Sequence, residues 1–229
     1  FSPQHGTSYQ IAMRIFKDTG YHVFPVTSQC DPDPDFKGTL SPNPEDPRAY
    51  IEAIALAKKE HAHIIVMNDP DADRVGVAYL SSKGTYEIFT GNQSGALLVD
   101  YLLSERKRQG RLSKNGAFYD TIVTSSLGRT IAQSFGLKTQ SFLTGFKFIG
   151  DQIAKNEAMP KGPHFEFGYE ESYGCLAAPF ARDKDGLQAL LLYCEMGLFH
   201  FLKNEPLDVA YDHLQERFGF HQDTLYSIE

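Results

Sequence analysis

Asn68-Asp69-Pro70-Asp71-Ala72-Asp73-Arg74 sets three carboxylates at alternate positions with an arginine directly behind them. Hard oxygen donors on one short segment suit a hard divalent cation, Mg²⁺ before softer metals. The Arg74 guanidinium offers a planar fork for a phosphate or carboxylate beside such an ion. Aspartate and proline also build ordinary solvated turns, so the spacing alone leaves both readings open. An EF-hand does not fit. Counted from Asp69, the positions that need Gly and a bidentate Glu hold Arg74 and Leu80. A phosphatase using one aspartate as its nucleophile beside Mg²⁺ does fit the loop. Asp31, Asp33 and Asp35 repeat the alternation without flanking apolar runs or an arginine, and read as a solvated turn.

Elements on both sides must hold the loop in place. Apolar runs at 63–67 and 75–80 bracket it as two buried strands. Upstream, Ser8 to Thr19 reads as a helix stopped by Gly20, and Tyr21 to Val26 as a strand. Residues 29–46, rich in Pro and Asp, form a loop. Pro47 opens a helix to about Glu60, with Ile51, Ile54 and Ala55 as its buried face. Residues 85–90 return the chain through a hairpin at Ser81-Ser82-Lys83-Gly84. A second series follows. A helix at 94–108 turns Leu97, Leu98, Tyr101 and Leu102 inward, a strand lies at 121–124, and Ser126 caps a helix to Phe135. Strands at 138–142 and 165–167 enclose a helix from near Phe146, and helices at 186–202 and 207–218 close the series. Tyr226-Ser227-Ile228-Glu229 reads as the start of another strand. This alternation predicts an α/β fold of layers with mainly parallel or mixed sheets, in two units joined near Gly91.

Composition narrows the classes. The 229 residues carry a net charge of −7, which argues against non-specific nucleic-acid binding. No apolar run approaches the roughly 18 residues of a membrane span, and the first residues are not a signal peptide. Cys30, Cys175 and Cys194 are odd in number and far apart, as expected of buried thiols in a cytoplasmic protein. The eight histidines show no ligand spacing. The missing initiator methionine and the strand-like end suggest a piece of a larger protein.

Four motifs in order carry a resemblance. Asn68 to Arg74 resembles the metal-binding loop of the α-D-phosphohexomutases, the phosphoglucomutase/phosphomannomutase family. Gly168-Tyr169-Glu170-Glu171-Ser172-Tyr173-Gly174 resembles that family's sugar-recognition loop. Thr144-Gly145-Phe146-Lys147-Phe148-Ile149-Gly150 and Arg182-Asp183-Lys184-Asp185-Gly186 resemble the segments before and after it. His5-Gly6 and Pro42-Asn43-Pro44-Glu45 are similar to family landmarks upstream. The family's T-A-S-H-N-P and R-P-S-G-T-E-P strings do not occur. The resemblance therefore implies two consecutive α/β/α domains with mixed sheets, family domain II at 1–90 and domain III at 91–229, without the first and fourth domains.

The resemblance implies a reaction that moves a phosphate between O1 and O6 of a hexose. A phosphoserine of the first domain donates, and a bisphosphate such as glucose 1,6-bisphosphate is the intermediate and activator. It assigns one Mg²⁺ to Asp69, Asp71 and Asp73, and a catalytic role to Arg74 in neutralising phosphoryl charge. Glu170 and Ser172 would bind sugar hydroxyls, with Lys184, Arg182 and Lys147 as cations for the phosphosugar. Glu171 should point elsewhere. The isolated chain should not catalyse, and the expected partner is a phosphosugar, with neither nucleic acid nor membrane. The expected substrate is glucose 1-/6-phosphate, because Glu-Glu-Ser-Tyr resembles glucose-preferring or pentose-phosphate members more than strict mannose enzymes. Phosphopentomutase activity is an alternative, because Glu-Glu-Ser-Tyr also resembles pentose-phosphate members. A Mg²⁺ phosphatase and a non-catalytic metal- or sugar-binding module are the rivals from other classes.

Overall fold

The computed structural model describes residues 1–224 of the chain. Tyr226–Glu229, expected to begin a strand, lies outside the described residues. Helix α1, Tyr9–Thr19, buries Ala12 and Phe16 and stops where Gly20 turns left-handed at φ 81°, its N–H capping Lys17 and Phe16. Residues 21–26 do not become the expected strand. The Phe1 nitrogen donates to the Phe24 carbonyl at 2.9 Å, and the Val26 N–H donates to the Phe1 carbonyl at 2.9 Å. One pairing residue cannot build a ladder, so the segment runs extended without forming one.

A 3₁₀ turn at Pro47–Tyr50, capped by Asp46, leads into α2, Ile51–Glu60. The inward face of α2 is Ala53 and Ala57 with Ile54 packed beside them, as expected for Ile54, whereas Ile51 is 50% exposed and Ala55 is exposed, which corrects the other two residues of the expected face. Tyr50 precedes the helix directly. Its ring is fully buried and its hydroxyl donates to the Pro44 carbonyl at 3.1 Å, anchoring the start of the helix.

Strands β1, Ile64–Asn68, β2, Val75–Leu80, and β3, Tyr86–Ile88, form an antiparallel sheet in that order. Register pairs Asn68 with Val75, so residues 69–74 are the tip of a hairpin. A single parallel bridge joins Ser2 to Met67. Helix α3, Gly91–Arg108, begins earlier than periodicity suggests because Thr90 and Gln93 form a capping box. Thr90→Ala should cost about 1 kcal/mol and lower the melting temperature by roughly 2–4 °C, checked by thermal unfolding.

The second sheet has the order β5-β4-β6-β7. Its members are β4, Gly116–Thr121, β5, Lys138–Phe142, β6, His164–Tyr169, and β7, Cys175–Leu176. β4 pairs in parallel with β5 and β6, and β7 runs antiparallel to β6. The strand expected at 121–124 is thus displaced upstream, because the Thr124 and Thr121 hydroxyls meet at 2.7 Å and turn the chain. Helix α4, Ser126–Ser134, is capped by Ser125 rather than Ser126. Helices α5, Lys147–Ala158, α6, Gly186–Leu202, and α7, Leu207–Phe218, complete the α/β layers. One apolar core crosses residue 90. Val75 and Val77 of β2 pack with Leu97 and Leu98 of α3 and with Leu190 and Tyr193 of α6. All three cysteines are free and buried.

Candidate metal centre and the loop beside it

Two hairpin tips meet at one edge of this core. The β1–β2 tip carries the aspartates, and the β6–β7 tip carries residues 170–174. Their backbones are stitched together. The Val75 N–H donates to the Tyr173 carbonyl at 3.1 Å, and Arg74 and Gly174 form an antiparallel bridge. The N–H of Gly186, at the start of α6, donates to the Ala72 carbonyl at 3.0 Å. Residues about 100 positions apart are therefore held in register.

One oxygen from each of Asp69, Asp71 and Asp73 lies within 4.8 Å of the others. The turn that gathers them is local. Ala72 is left-handed at φ 64°, and its N–H donates to the Asp69 carbonyl at 3.0 Å. Asp69 Oδ1 accepts from the Arg74 N–H, and Asn68 Nδ2 donates to the Arg74 carbonyl, both at 3.0 Å. Asp69 is buried and Asp71 is exposed. Burial pushes the Asp69 carboxyl up to about 6, against the opposing pull of its hydrogen bonds from Arg74. Three converging carboxylates, one of them buried at such a cost, are a donor set that fits a hard divalent cation.

Arg74 is the organiser of the loop. Its Nε donates to Asp69 Oδ2 at 2.5 Å, and its NH1 reaches Glu45 Oε1 at 3.1 Å and Asn43 Oδ1 at 3.2 Å. Lys184 joins the two tips. Its Nζ lies 3.0 Å from Asp73 Oδ2 and 3.8 Å from Glu170 Oε2. Burial pulls the Lys184 pKa down, but Asp73 and Glu170 more than offset this and the net shift is upward. The Lys184 stem lies over Gly174, where an added Cβ would come within 2.0 Å of Lys184 Cδ. Glu170 is buried, its Oε1 accepts from the Gly145 N–H at 3.0 Å, and burial raises its pKa. Ser172 is half-buried in the same tip. Glu171 turns the other way and accepts from the Thr121 and Thr124 hydroxyls at 3.2 Å each.

Two of the residues singled out from sequence sit apart from this cluster. Arg182 is exposed, pairs with Glu157 and donates to the Pro179 carbonyl at 3.4 Å. Lys147 is exposed, with its ammonium 5.1 Å above the Phe148 ring centroid. Sequence reading gave no role to Asn43 and Glu45, whose only signal was the Pro42-Asn43-Pro44-Glu45 string. Their link to Arg74 spans some 30 positions and no periodicity encodes it. His5-Gly6 likewise acquires a physical meaning. The Gly6 Cα packs under Pro70, where an added Cβ would come within 2.3 Å of the Pro70 carbonyl oxygen.

Comparison with known proteins matches both halves. The pattern of phosphoglucomutase/phosphomannomutase alpha/beta/alpha domain II covers residues 1–81, and that of domain III covers residues 90–218. Phosphoglucomutase of Staphylococcus aureus strain N315 is 37% identical over 228 residues, which is 99% of this chain and 40% of that protein. The strain USA300 protein is 36% identical over the same shares. Among solved structures, a phosphoglucomutase/phosphomannomutase family protein from Burkholderia thailandensis superposes with TM-score 0.67 at 20% identity, covering 93% of this chain and 41% of its own. The open form of pp63/parafusin from Paramecium superposes with TM-score 0.68 at 22% identity, covering 96% and 37%. At those identities the superpositions speak for the fold. The chain spans about 40% of the length of the curated relatives it matches.

Proposed function

The chain belongs to the phosphoglucomutase/phosphomannomutase family, and from that premise we propose that it is the central part of a Mg²⁺-dependent phosphohexomutase that interconverts glucose 1-phosphate and glucose 6-phosphate. The observation that carries this reading is the shared lysine. Lys184 bridges the aspartate tip and the Glu170 tip, so that a metal and a sugar would be handled side by side. Glucose is favoured by the curated relatives, which are phosphoglucomutases. The Glu170-Glu171-Ser172-Tyr173 string keeps phosphopentomutase activity as the second reading. The division into domain II at 1–90 and domain III at 91–229, and a cytoplasmic location, belong to the same proposal.

Asp69, Asp71 and Asp73 would hold the Mg²⁺, whose chemistry when bound is Lewis-acid polarisation of a phosphoryl oxygen. Arg74, fixed by Asp69, Glu45 and Asn43, keeps the three carboxylates convergent and places positive charge beside the transferring group. Lys184 would leave Asp73 to grip a substrate phosphate. Glu170, its outer oxygen pinned by Gly145, would accept from sugar hydroxyls, with Ser172 able to donate or accept beside it. Arg182 and Lys147 stand at the rim as cations for the phosphate that is not being transferred. The phosphoserine would come from the first domain of the longer protein, a glucose 1,6-bisphosphate intermediate would turn over between the tips, and the 229-residue chain alone would not catalyse.

The test is an assay of the longer protein on glucose 1-phosphate and ribose 1-phosphate, each primed with its bisphosphate, beside the 229-residue chain on p-nitrophenyl phosphate. Faster turnover of the glucose ester supports the reading, and preference for the ribose ester selects the second one. Hydrolysis by the short chain, lost in a single Asp→Asn variant, would show a phosphatase instead. Lys184→Met should raise the Mg²⁺ affinity of the short chain several-fold, because a competing cation leaves Asp73, while weakening glucose 1-phosphate binding by the longer protein. Titration calorimetry of both reads the two opposite effects.

A further inference from the structure

Gln4 and His5 are left-handed, at φ 48° and 59°. Two consecutive non-glycine residues in that region are costly and persist only where surrounding bonds dictate them. Gln4 is fully buried, and its Nε2 donates to the Ala49 carbonyl at 3.1 Å. The His5 N–H donates to the Gln29 carbonyl at 2.8 Å. The strained turn sets the buried His5 ring against the loop of residues 29–46.

The ring makes one bond from each nitrogen. Nε2 accepts from the Gly38 N–H at 3.0 Å, so it carries no proton. Nδ1, 2.8 Å from the Asp31 carbonyl oxygen, is therefore the donor. Only the neutral Nδ1–H ring satisfies both partners. Gly38 is held from its other side as well, where Gln29 Nε2 donates to its carbonyl at 2.6 Å. A side chain would not fit there, since an added Cβ would come within 2.5 Å of His5 Nε2 and of the Ser28 carbonyl oxygen.

From Gly38 the loop runs on through short local bonds. Thr39 Oγ1 accepts from the Ser41 N–H at 3.3 Å, Ser41 Oγ from the Asn43 N–H at 3.4 Å, and Asn43 Oδ1 from the Glu45 N–H at 3.1 Å. Each side chain thus fixes the backbone two residues on. The run ends at the oxygens that hold Arg74, Asn43 Oδ1 and Glu45 Oε1.

We propose that His5, as its neutral Nδ1–H tautomer, is a positioning residue for the metal loop. By fixing Gly38 it fixes the loop that keeps Asn43 and Glu45 on Arg74, and through Arg74 it keeps Asp69 convergent with Asp71 and Asp73. This rests on the Mg²⁺ reading of the aspartates given above. A second route leads from the same turn to the metal loop, because Gly6 packs under Pro70 and the Thr7 N–H donates to the Pro70 carbonyl at 2.9 Å. The experiment has to separate the two.

His5→Gly removes the ring and spares the turn, because glycine adopts φ 59° without strain. It should weaken Mg²⁺ binding by the chain about tenfold in titration calorimetry, the low end for groups that support a metal ligand. His5→Asn tolerates the same backbone and keeps a donor for Asp31, but its side chain is too short to reach Gly38 as well, so it should weaken binding equally. In a chain already carrying Asn43→Ala and Glu45→Ala, His5→Gly should change the affinity by less than about twofold, because the route through Arg74 is already cut. Two magnetic-resonance readouts need no metal. The His5 ring should show a protonated Nδ1 and an unprotonated Nε2 at about pH 7.5. The Arg74 Nε–H, which donates to Asp69, should exchange at least about tenfold faster in His5→Gly than in the unaltered chain. An unaltered chain that binds no Mg²⁺ would sink the metal reading alone and leave these two readouts to decide the role of His5. A protonated Nε2 or unchanged Arg74 exchange would overturn the proposal. So would an undiminished effect of His5→Gly in the Asn43→Ala, Glu45→Ala background, which would assign that effect to the contacts on Pro70.

Discussion

Asp71→Asn should reduce the Mg²⁺ affinity of the 229-residue chain by at least about 100-fold, since losing a ligand costs more than the 10–100-fold typical of its supporting groups. Asp71 is the informative position. It is exposed and makes no hydrogen bond or ion pair among the described residues, so the substitution leaves the turn intact. Asp69→Asn would instead release Arg74 and blur the result. The same titration has a pH signature. Burial raises the Asp69 pKa from 3.8 in the unfolded chain to about 6 in the folded one, despite the hydrogen bonds from Arg74. Between those values the folded state holds a proton that the unfolded state has lost. Stability of the metal-free chain is thus favoured by this group below the window and declines as pH rises through it. Mg²⁺ binds the ionised carboxylate, so its affinity climbs over the same window. The rise in melting temperature produced by Mg²⁺ should be larger at about pH 7.5 than at about pH 5. Unchanged binding in Asp71→Asn, or affinity independent of pH across this range, would remove the metal from the loop.

Arg106→Met should cost the fold about 3–5 kcal/mol, the usual result of removing one partner from a buried ion pair. Arg106 reaches from α3 to β6. Its NH1 donates to Glu166 Oε2 at 2.7 Å and to the Glu166 carbonyl at 2.5 Å, and its NH2 donates to the Ala177 carbonyl at 3.0 Å. Glu166 is 1% exposed and otherwise keeps the Ser113 N–H at 2.9 Å and His164 Nδ1 at 3.3 Å, both at Oε1. Losing the guanidinium strands a buried carboxylate and two carbonyls just upstream of the Glu170 tip. For a chain of this size the melting temperature should fall by roughly 6–20 °C. Adding Glu166→Gln should recover part of the loss, because the amide oxygen still accepts from Ser113 and no charge is left buried. A fall of less than about 2 °C in the single variant would show that the pair is not a structural clamp.

These two residues differ in how far sequence announces them. Asp71 is legible because its partners lie two positions away on either side, and a tight turn gathers neighbours without help. Arg106 is an ordinary cation near a helix end until β6 arrives 60 positions later. The same division runs through the fold. Helices α1, α6 and α7 lie at or within a residue of where periodicity and stop residues predict them, and Gly20 ends α1 as a left-handed glycine should. Residues 21–26 have the composition of a strand but, among the described residues, only Phe1 to pair with, so their state depends on a neighbour rather than on themselves.

Local chemistry was therefore enough to determine the aspartate turn, the glycine-framed tip around Glu170, most helices and the α/β class. Each depends on residues within a few positions of one another, where spacing translates directly into geometry. Only the tertiary structure decided that Lys184 joins Asp73 to Glu170, that Asn43 and Glu45 hold Arg74, and that Arg182 and Lys147 stay at the rim. It also placed Ala53 and Ala57 beside Ile54 on the inner face of α2 and left Ile51 and Ala55 outside it. Such outcomes turn on which surfaces meet across tens of residues. The closing of those long loops is driven by burial of the shared core, which carries no local period to be read.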